Sequence, residues 1–385
     1  MEGQHPGAPP RRPFSAEHEQ FREQVRRFIA REIAPHHRQW EREGIVPREV
    51  WRAAGAQGLL CTMIAPQYGG AGGDFGHAAV VIEELARALA SGVGFPLHSD
   101  IVAPYIQAFA TEARKADWLP RMARGELIGA IAMTEPGMGS DLKAVRTSAR
   151  REGAHWVING AKTYISNGQN AGLIIVVCRT DPAGGRRGLS LIAVEDGTPG
   201  FSRGRRLEKI GLHAQDTSEL FFQDVRVPLD HLLGEENRGF YHLMHQLPQE
   251  RLVIAVRAGI VMETMLEKTI AYARQREIFG QRLLDFQTHR FTLAEAKAEI
   301  AMYRAFLDDS IARHMRGELT PEQAAAAKLL GTEMQCRWLD AFLQIHGGFG
   351  YMADSEIGRA WADARVGRIY GGSSEVMREI IARSL

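Results

Sequence analysis

Cysteine is scarce in this sequence of 385 residues, which contains only Cys61, Cys178 and Cys336. Their number is odd and they lie far apart, which argues against a disulfide framework and against a cysteine-rich zinc site. Reduced thiols without partners indicate a reducing compartment. No metal site is predicted.

Net charge is also nearly absent, because 47 Lys and Arg residues face 46 Asp and Glu residues. This balance gives no electrostatic reason to expect nucleic acid or an anionic bilayer as the main partner. No apolar run reaches the roughly 18 residues of a membrane-spanning helix. With 45% hydrophobic residues, the chain has the composition of a globular protein. A small-molecule ligand is favoured, with no nucleic acid and no membrane as partner.

The opening stretch MEGQHPGAPPRRPF lacks the apolar core of a signal peptide and the basic amphipathic helix of a transit peptide. Its Pro and Gly content predicts a disordered lead-in over residues 1–14. Together with the reduced cysteines, this favours a soluble, cytoplasmic protein.

Residues 15–126 have the pattern of an all-helical domain. Apolar residues recur at steps of three and four after Ser15, which predicts a helix capped by that serine. Further helices are predicted to start at Pro47, to cover residues 77–90, and to follow a cap at Thr111.

Residues 127–238 consist of short β-prone segments separated by Gly, Pro and Asp clusters, which predicts a β domain. Within HWVINGAKTYI, the pair Asn159 and Gly160 predicts a hairpin turn, since both residues tolerate a positive φ angle.

Residues 239–385 return to long helical periods. One helix is predicted to about Gln275, a second from about Asp285 to Met315, and a third from Thr320 to about Ile345. Long helices joined by short turns favour a bundle.

Five short motifs carry the chemical signal, and each is weak alone: AMTEPGMGSD at 132–141, YIS at 164–166, RxxFG at 276–280, QIHGGFGY at 344–351 and IYGGSSEVMREI at 369–380. The glycines of the first motif allow backbone N–H groups to approach a polar ring edge or a phosphate closely. The guanidinium of the third motif can bind a phosphate. Taken singly, these motifs could equally be turns and helix ends.

In this order, on an α-β-α chain, the five motifs resemble the acyl-CoA dehydrogenase family. The resemblance covers essentially the whole chain after the lead-in. GLHAQDTSELFF, LLGEENRGFYHLM and LPQERL are most similar to the long-chain members. The implied fold is α+β and multidomain: an N-terminal helical domain (15–126), a middle β-barrel-like domain (127–238) and a C-terminal four-helix bundle (239–385).

The resemblance also implies an FAD cofactor between the β domain and the bundle, usually in a homotetramer. In the β domain, the positions that match FAD contacts of the family are Met133, Thr134, Ser140, Tyr164, Ile165 and Ser166. In the bundle they are Arg276, Phe279, Gln287, Gln344, Gly347, Gly348, Ser373, Ser374 and Glu375. The YIS motif departs from the family, whose triplet often begins with Trp. In the family, some of the matching bundle positions reach the cofactor of a neighbouring subunit, and the same is expected here.

This chain has no acidic side chain at the position where many members of the family carry the catalytic base. Many members carry a glutamate where this chain has Gly371. In the long-chain and isovaleryl members the base comes instead from a bundle helix, in a segment resembling LPQERL, and the matching residue is Glu250. Without the resemblance, Pro248 would favour a surface or helix-start acid. The apolar period from Phe240 to Leu252, however, favours a helix that continues through the proline.

Removal of hydrogen across the α and β carbons of a thioester requires a base, a hydride acceptor and hydrogen-bond donors on the carbonyl oxygen. The resemblance assigns these roles to Glu250, to flavin N5 and, on the substrate side, to a backbone N–H of Gly371 or Gly372. Loss of water on substrate entry should raise the pKa of the Glu250 carboxyl.

Three further side chains are candidates for substrate binding. Ser140 is expected at the flavin or at the acyl-CoA. Arg251 is expected to orient the carboxylate of Glu250 or the terminal loop that contains Gly371 and Gly372, with a surface salt bridge as the alternative. Tyr241 is expected to line the acyl channel, with an ordinary buried aromatic as the alternative.

The expected reaction is FAD-dependent conversion of a medium-chain to long-chain acyl-CoA, straight or branched, to trans-2-enoyl-CoA, with electrons passing to an electron-transfer flavoprotein. Two alternatives stay open. One is an acyl-CoA oxidase that uses oxygen at the same site. The other is a flavin-binding assembly protein without catalysis, suggested by the absent side chain at Gly371.

Overall fold

The computed structural model describes residues 13–385. The predicted lead-in over residues 1–14 lies outside the described residues except for its last two positions, and Phe14 there is buried. No helix within residues 13–385 combines the length and the apolar character that crossing a bilayer requires.

The first third of the described chain is helical. Ser15 accepts the amide of His18 and Thr111 accepts the amide of Arg114, which confirms both predicted caps. Two segments, Ile29–Ile33 and Leu97–Val102, form π-helical turns. The α-helices are α1 (Ala16–Phe28), α2 (His37–Glu43), α3 (Arg48–Ala56), α4 (Phe75–Arg87), α5 (Ala103–Phe109) and α6 (Glu112–Ala123).

Eight strands follow: β1 (Gly129–Ala132), β2 (Ser148–Glu152), β3 (His155–Ser166), β4 (Leu173–Arg179), β5 (Leu189–Glu195), β6 (Phe201–Arg206), β7 (Thr217–Pro228) and β8 (Leu232–Leu233). They form one sheet in the order β6-β7-β3-β2-β4-β5-β8, and β1 pairs in parallel with β4. The central strands β4 and β5 are buried along nearly their whole length, as expected for strands covered on both faces.

The predicted hairpin at Asn159 and Gly160 is wrong. Both residues lie inside β3, and the turn between β2 and β3 comes earlier, where Glu152 pairs with His155. The glycine instead serves an irregularity in the strand: its φ is +152°, and the pairing of β3 with β7 shifts register between Ile158 and Gly160. A residue pair that tolerates positive φ can therefore mark a β-bulge as well as a turn.

The C-terminal part is a helical bundle. A short hairpin of β9 (Glu277–Ile278) and β10 (Gln281–Arg282) joins the first two long helices. Pro248 lies inside the first helix, which continues through it, as the apolar period predicted. The helices are α7 (Gly239–Gln275), α8 (Gln287–Met315), α9 (Pro321–His346), α10 (Glu356–Ala364) and α11 (Ser374–Ala382).

Two apolar cores hold these parts together. The first joins the N-terminal helices, the bundle and one face of the sheet, including Leu173 and Ile175. The second lies on the opposite face of the sheet and includes Ile174 and Val176. The alternation along β4 follows from the two-residue repeat of a strand. Because α7 packs against both α4 and α9, it lies at the centre of the first core.

A polar junction ties α1 to α4. His18 Nε2 lies 2.7 Å and His77 Nδ1 lies 3.0 Å from Oδ1 of Asp74. The ligand atoms of these three side chains lie within 4.8 Å of one another, a spacing that a metal ion could bridge. Nδ1 of each histidine, however, accepts a backbone N–H, from Ser15 and from Asp74. Helix capping therefore accounts for the group.

We expect Asp74→Ala to lower the free energy of unfolding by about 1–2 kcal/mol, because it removes the cap of α4 and the partner of His18. Urea denaturation followed by circular dichroism measures the change. The matched control is Asp354→Ala, which removes an exposed ion pair with Arg38 and should change stability by less than about 0.5 kcal/mol. Equal losses in the two variants would contradict the assignment.

Candidate active site

Glu250 lies in the interior of α7 and is only 6% exposed. The hydroxyl of Tyr105, on α5, donates a hydrogen bond of 2.7 Å to its Oε1. Burial raises the pKa of Glu250 to about 7, against the opposing effects of the tyrosine bond and of the Arg251 charge. The alternative of a surface or helix-start acid is therefore wrong. A carboxyl with a pKa near neutrality is suited to accept and release a proton.

Arg251 is buried as well. Its Nε has no hydrogen-bond partner among the described residues, and burial lowers its pKa while the Glu250 charge acts in the opposite direction. The alternative of a surface salt bridge is therefore wrong. A buried guanidinium with an unused N–H is available to a further polar group.

The terminal loop approaches the same part of α7. Gly371 and Gly372 have φ angles of +62° and +93°. A Cβ at Gly371 would lie 2.4 Å from Cδ1 of Ile254. Residues four apart on a helix share a face, so Ile254 and Glu250 lie on the same side of α7. The structure thus brings the predicted loop and the predicted base together.

The β domain contributes a second polar loop. Thr134 accepts the backbone N–H of Thr163 at 2.9 Å, which joins the MTEPGMGSD loop to the YIS motif. Ile165 is buried, whereas Tyr164 is 69% exposed and has a φ of +60°. An exposed aromatic ring held by an unusual backbone conformation is available for stacking with a planar group.

A buried ion pair supports this loop, and sequence reasoning missed it. Lys162 Nζ lies 2.9 Å from Oε1 of Glu135 and donates to the carbonyl of Met133 at 3.0 Å. The carboxylate also accepts the backbone N–H groups of Arg146 and Thr147. A lysine inside a strand with buried neighbours is the signal that could have pointed to the pair. Ser140, in the same loop, is exposed.

The second set of predicted cofactor positions lies at the other end of the bundle. Tyr272 stacks on His346 with ring centroids 4.4 Å apart, which brings the ends of α7 and α9 together. Since an α-helix rises about 1.5 Å per residue, the end of α7 is about 38 Å from Glu250. Positions at this end are Arg276, Phe279, Gln287, Gln344, Gly347 and Gly348. They are not close to the predicted base of the same chain.

The remaining predicted residues have varied surroundings. Ser373 caps α11, and the Ser374 hydroxyl donates to Glu333 at 2.5 Å, while Glu375 is exposed. Tyr241 is 44% exposed on α7, so the alternative of an ordinary buried aromatic is wrong. Their roles toward a ligand stay predictions.

The chain thus combines an α-β-α order of elements with a buried carboxyl on the face of α7 that a glycine loop approaches. Family models match three consecutive parts: "Acyl-CoA dehydrogenase, N-terminal domain" over residues 15–126, the middle domain over 130–225 and the C-terminal domain over 237–385. The chain belongs to the acyl-CoA dehydrogenase family and is an oxidoreductase, which confirms the predicted fold class and family.

Two relatives with assigned substrates and one solved structure show how similar the chain is to individual members of the family. The mitochondrial long-chain specific acyl-CoA dehydrogenase of Sus scrofa is 50% identical, over 97% of this chain and 88% of the pig protein. The mitochondrial isovaleryl-CoA dehydrogenase of Pongo abelii is 35% identical, over 96% and 89%. The crystal structure of an acyl-CoA dehydrogenase from Geobacillus kaustophilus has a TM-score of 0.95 and 49% identity, over 97% of this chain and 99% of that one.

The raised pKa of Glu250 makes stability depend on pH. The folded chain binds this proton more tightly than the unfolded chain, where the pKa is about 4.5, so stability falls as pH rises from about 4.5 to about 7. Glu250→Gln removes the ionisation. We expect it to raise the free energy of unfolding by up to about 3 kcal/mol near pH 8 and to leave it unchanged near pH 4.

Urea denaturation at the two pH values measures this difference. The control is Glu267→Gln, because Glu267 is exposed on the same helix and its replacement should have little effect at either pH. A gain for Glu250→Gln that is the same at both pH values would contradict burial of the ionised carboxyl.

Proposed function

We propose that the protein is an FAD-dependent dehydrogenase that converts medium-chain to long-chain acyl-CoA, straight or branched, to trans-2-enoyl-CoA. Glu250 is the base that removes the α proton. One observation carries the proposal: a buried carboxyl with a pKa of about 7 lies on the face of α7 that Gly371 approaches. The chain keeps a base although the loop position has no side chain.

The residues present fit a flavin. Tyr164 offers an exposed ring, and added Cβ atoms at Gly137 and Gly139 would meet nothing within 4 Å, so the backbone of that loop is open to close approach. Met133, Thr134, Ser140, Tyr164, Ile165 and Ser166 would hold the ring system, with Ser373, Ser374 and Glu375 at the bundle side. When bound, the flavin supplies the hydride acceptor for the β carbon.

Glu250 must be deprotonated before it can accept the α proton. Burial disfavours its charge and thereby strengthens it as a base, while the Tyr105 bond keeps a fraction ionised near neutral pH. The bond also fixes the carboxyl orientation. After proton transfer, the neutral acid no longer carries the desolvation penalty, which favours the forward step.

The Gly371–Gly372 loop supplies main-chain donors. We assign to it the N–H group that binds the thioester carbonyl, where negative charge gathers as the α proton leaves. Glycine at 371 leaves the loop free of a side chain that would press on Ile254. The division is simple: the helix provides the acid–base group and the loop provides the backbone donor.

The proposed chain-length range rests on the relatives and on this glycine. Proteins named for long-chain and for isovaleryl substrates both resemble the chain, and a base on the helix leaves space beside Gly371 for a branched acyl group. Ser140 and Tyr241 are proposed contacts of the acyl-CoA. Turnover restricted to short straight chains would contradict this assignment.

A homotetramer is part of the proposal. The cofactor positions at the far end of α7 lie about 38 Å from Glu250, which exceeds the length of one dinucleotide. Phe279, at that end, is 93% exposed. Both facts support the idea that Arg276, Phe279, Gln287, Gln344, Gly347 and Gly348 contact the cofactor of a second copy. We propose an electron-transfer flavoprotein as the electron acceptor.

Anaerobic rapid mixing of the flavin-loaded enzyme with a panel of acyl-CoA thioesters tests the reaction. We expect the visible flavin absorbance to bleach in the wild type, and bleaching in Glu250→Gln to be slower by roughly 10²- to 10⁴-fold. Glu267→Gln, on the exposed face of α7, should bleach like the wild type.

Three results would redirect the proposal. Equal bleaching by Glu250→Gln would remove Glu250 from the reaction. Rapid peroxide release in air would support an oxidase. A wild type that binds flavin and bleaches with none of the thioesters would support the assembly protein without catalysis.

Tyr105→Phe should shift the pH dependence of bleaching. The tyrosine bond lowers the pKa of Glu250, so its removal should raise that pKa and move the acid limb of the rate above about pH 7. The rate should still rise with pH, because the base acts when ionised. Tyr68→Phe is the control, since that hydroxyl bonds to the surface residue Glu112. An unchanged acid limb in Tyr105→Phe would contradict coupling to the base.

A further inference from the structure

Lys328, on α9, is a fully buried lysine. Its Nζ donates a hydrogen bond of 2.7 Å to the carbonyl of Gly372. The carboxylates of Glu333 and Glu375 act on its charge without bonding to it, and within residues 13–385 its hydrogen bond is the one to this carbonyl. Burial of an ammonium group opposes folding unless the group is well bonded. A buried lysine with one hydrogen bond therefore suggests a role other than stabilising the fold.

The side chain of Glu333 holds both ends of the terminal loop. Glu333, also on α9, accepts Arg368 Nε at 2.9 Å before the loop and the Ser374 hydroxyl at 2.5 Å after it. The turn itself consists of Gly371 and Gly372, both at positive φ. Paired glycines have a wide choice of backbone conformations. Within the described part of the chain, Lys328 provides the hydrogen bond to that turn.

We propose that Lys328 is a positioning residue of the dehydrogenation. It holds the Gly371–Gly372 turn against α7, so that the backbone N–H of the loop and the carboxyl of Glu250 are aligned on one thioester. The inference rests on the proposed function, because it assigns a purpose to the loop in that reaction. It adds a third element, α9, to the helix and loop that carry the reacting groups.

The electrostatic surroundings make this contact sensitive to pH. The charged groups that act on Lys328 are Arg251 on α7, Glu333 on α9 and Glu375 on α11. Burial and the Arg251 charge lower the pKa of Lys328 to about 8, and the two glutamates oppose the shift. Above about pH 8 the amine becomes neutral and its bond to the carbonyl weakens. The rate should therefore fall on the alkaline side.

The test compares Lys328→Met and Lys328→Arg with the control Lys268→Met, which removes an exposed ion pair with Glu356. We expect Lys328→Met to lower the limiting rate of flavin bleaching by roughly 100-fold, with a smaller change in the thioester concentration for half-saturation. Lys328→Arg, which stays charged, should keep more of the rate and lose the alkaline limb near pH 8. The control should match the wild type.

Hydrogen exchange of the Tyr370, Val376 and Met377 amides, which are hydrogen-bonded on either side of the turn, gives a readout that needs no turnover. Protection should fall in Lys328→Met and, in the wild type itself, should fall between pH 7 and pH 9 after correction for the intrinsic exchange rate. If the variants do not fold, this measurement on the wild type tests the proposal without them. Unchanged protection across that range, or an unchanged limiting rate in Lys328→Met, would overturn the proposal.

The outcomes also separate this inference from the proposed function. If the wild type fails to bleach with every thioester, the proposed reaction is wrong. If it bleaches and depends on Glu250, but loop protection and rate are indifferent to Lys328, only the positioning role is wrong.

Discussion

A carboxyl group kept away from water inside a long helix is the constraint on which the site depends. Glu250 stays in the interior of α7 because the helix continues through Pro248, and it stays partly ionisable because Tyr105 donates to it. Burial without the hydroxyl would leave a neutral acid, and exposure would leave a weak base. The pKa of about 7 is the result of these two opposing effects, and it requires α5 and α7 to pack as they do.

In the proposed reaction, the main chain of the loop and a side chain of the helix have separate roles. Gly371 approaches Ile254 so closely that a Cβ would collide with it, and its φ of +62° disfavours any other residue. A loop of this kind is a good source of N–H groups and a poor place for an acid. Its glycines also deprive it of rigidity, which is why the contacts from α9 matter for its placement.

Sequence reasoning predicted the elements whose signals are local. The caps at Ser15 and Thr111, the long bundle helices and the passage of a helix through Pro248 all follow from periodicity and capping chemistry. The hairpin predicted at Asn159 and Gly160 was wrong, because residues that tolerate a positive φ occur in β-bulges as well as in turns. Tyr105 and Lys328 could not be predicted, since each matters only through a partner more than forty positions away in the chain. The resemblance led to the prediction that Glu250 is the base, but only the fold revealed the surroundings that set the acidity of this residue.

The buried Arg251 beside Glu250 has an electrostatic consequence for the substrate. With the carboxylate ionised, the two charges nearly cancel at a distance. Once the carboxylate has taken up a proton, it no longer balances the charge of the guanidinium, and the local potential becomes more positive. In a medium of low polarity, such a change would favour negative charge on the thioester fragment of the proposed reaction at the moment when that charge forms.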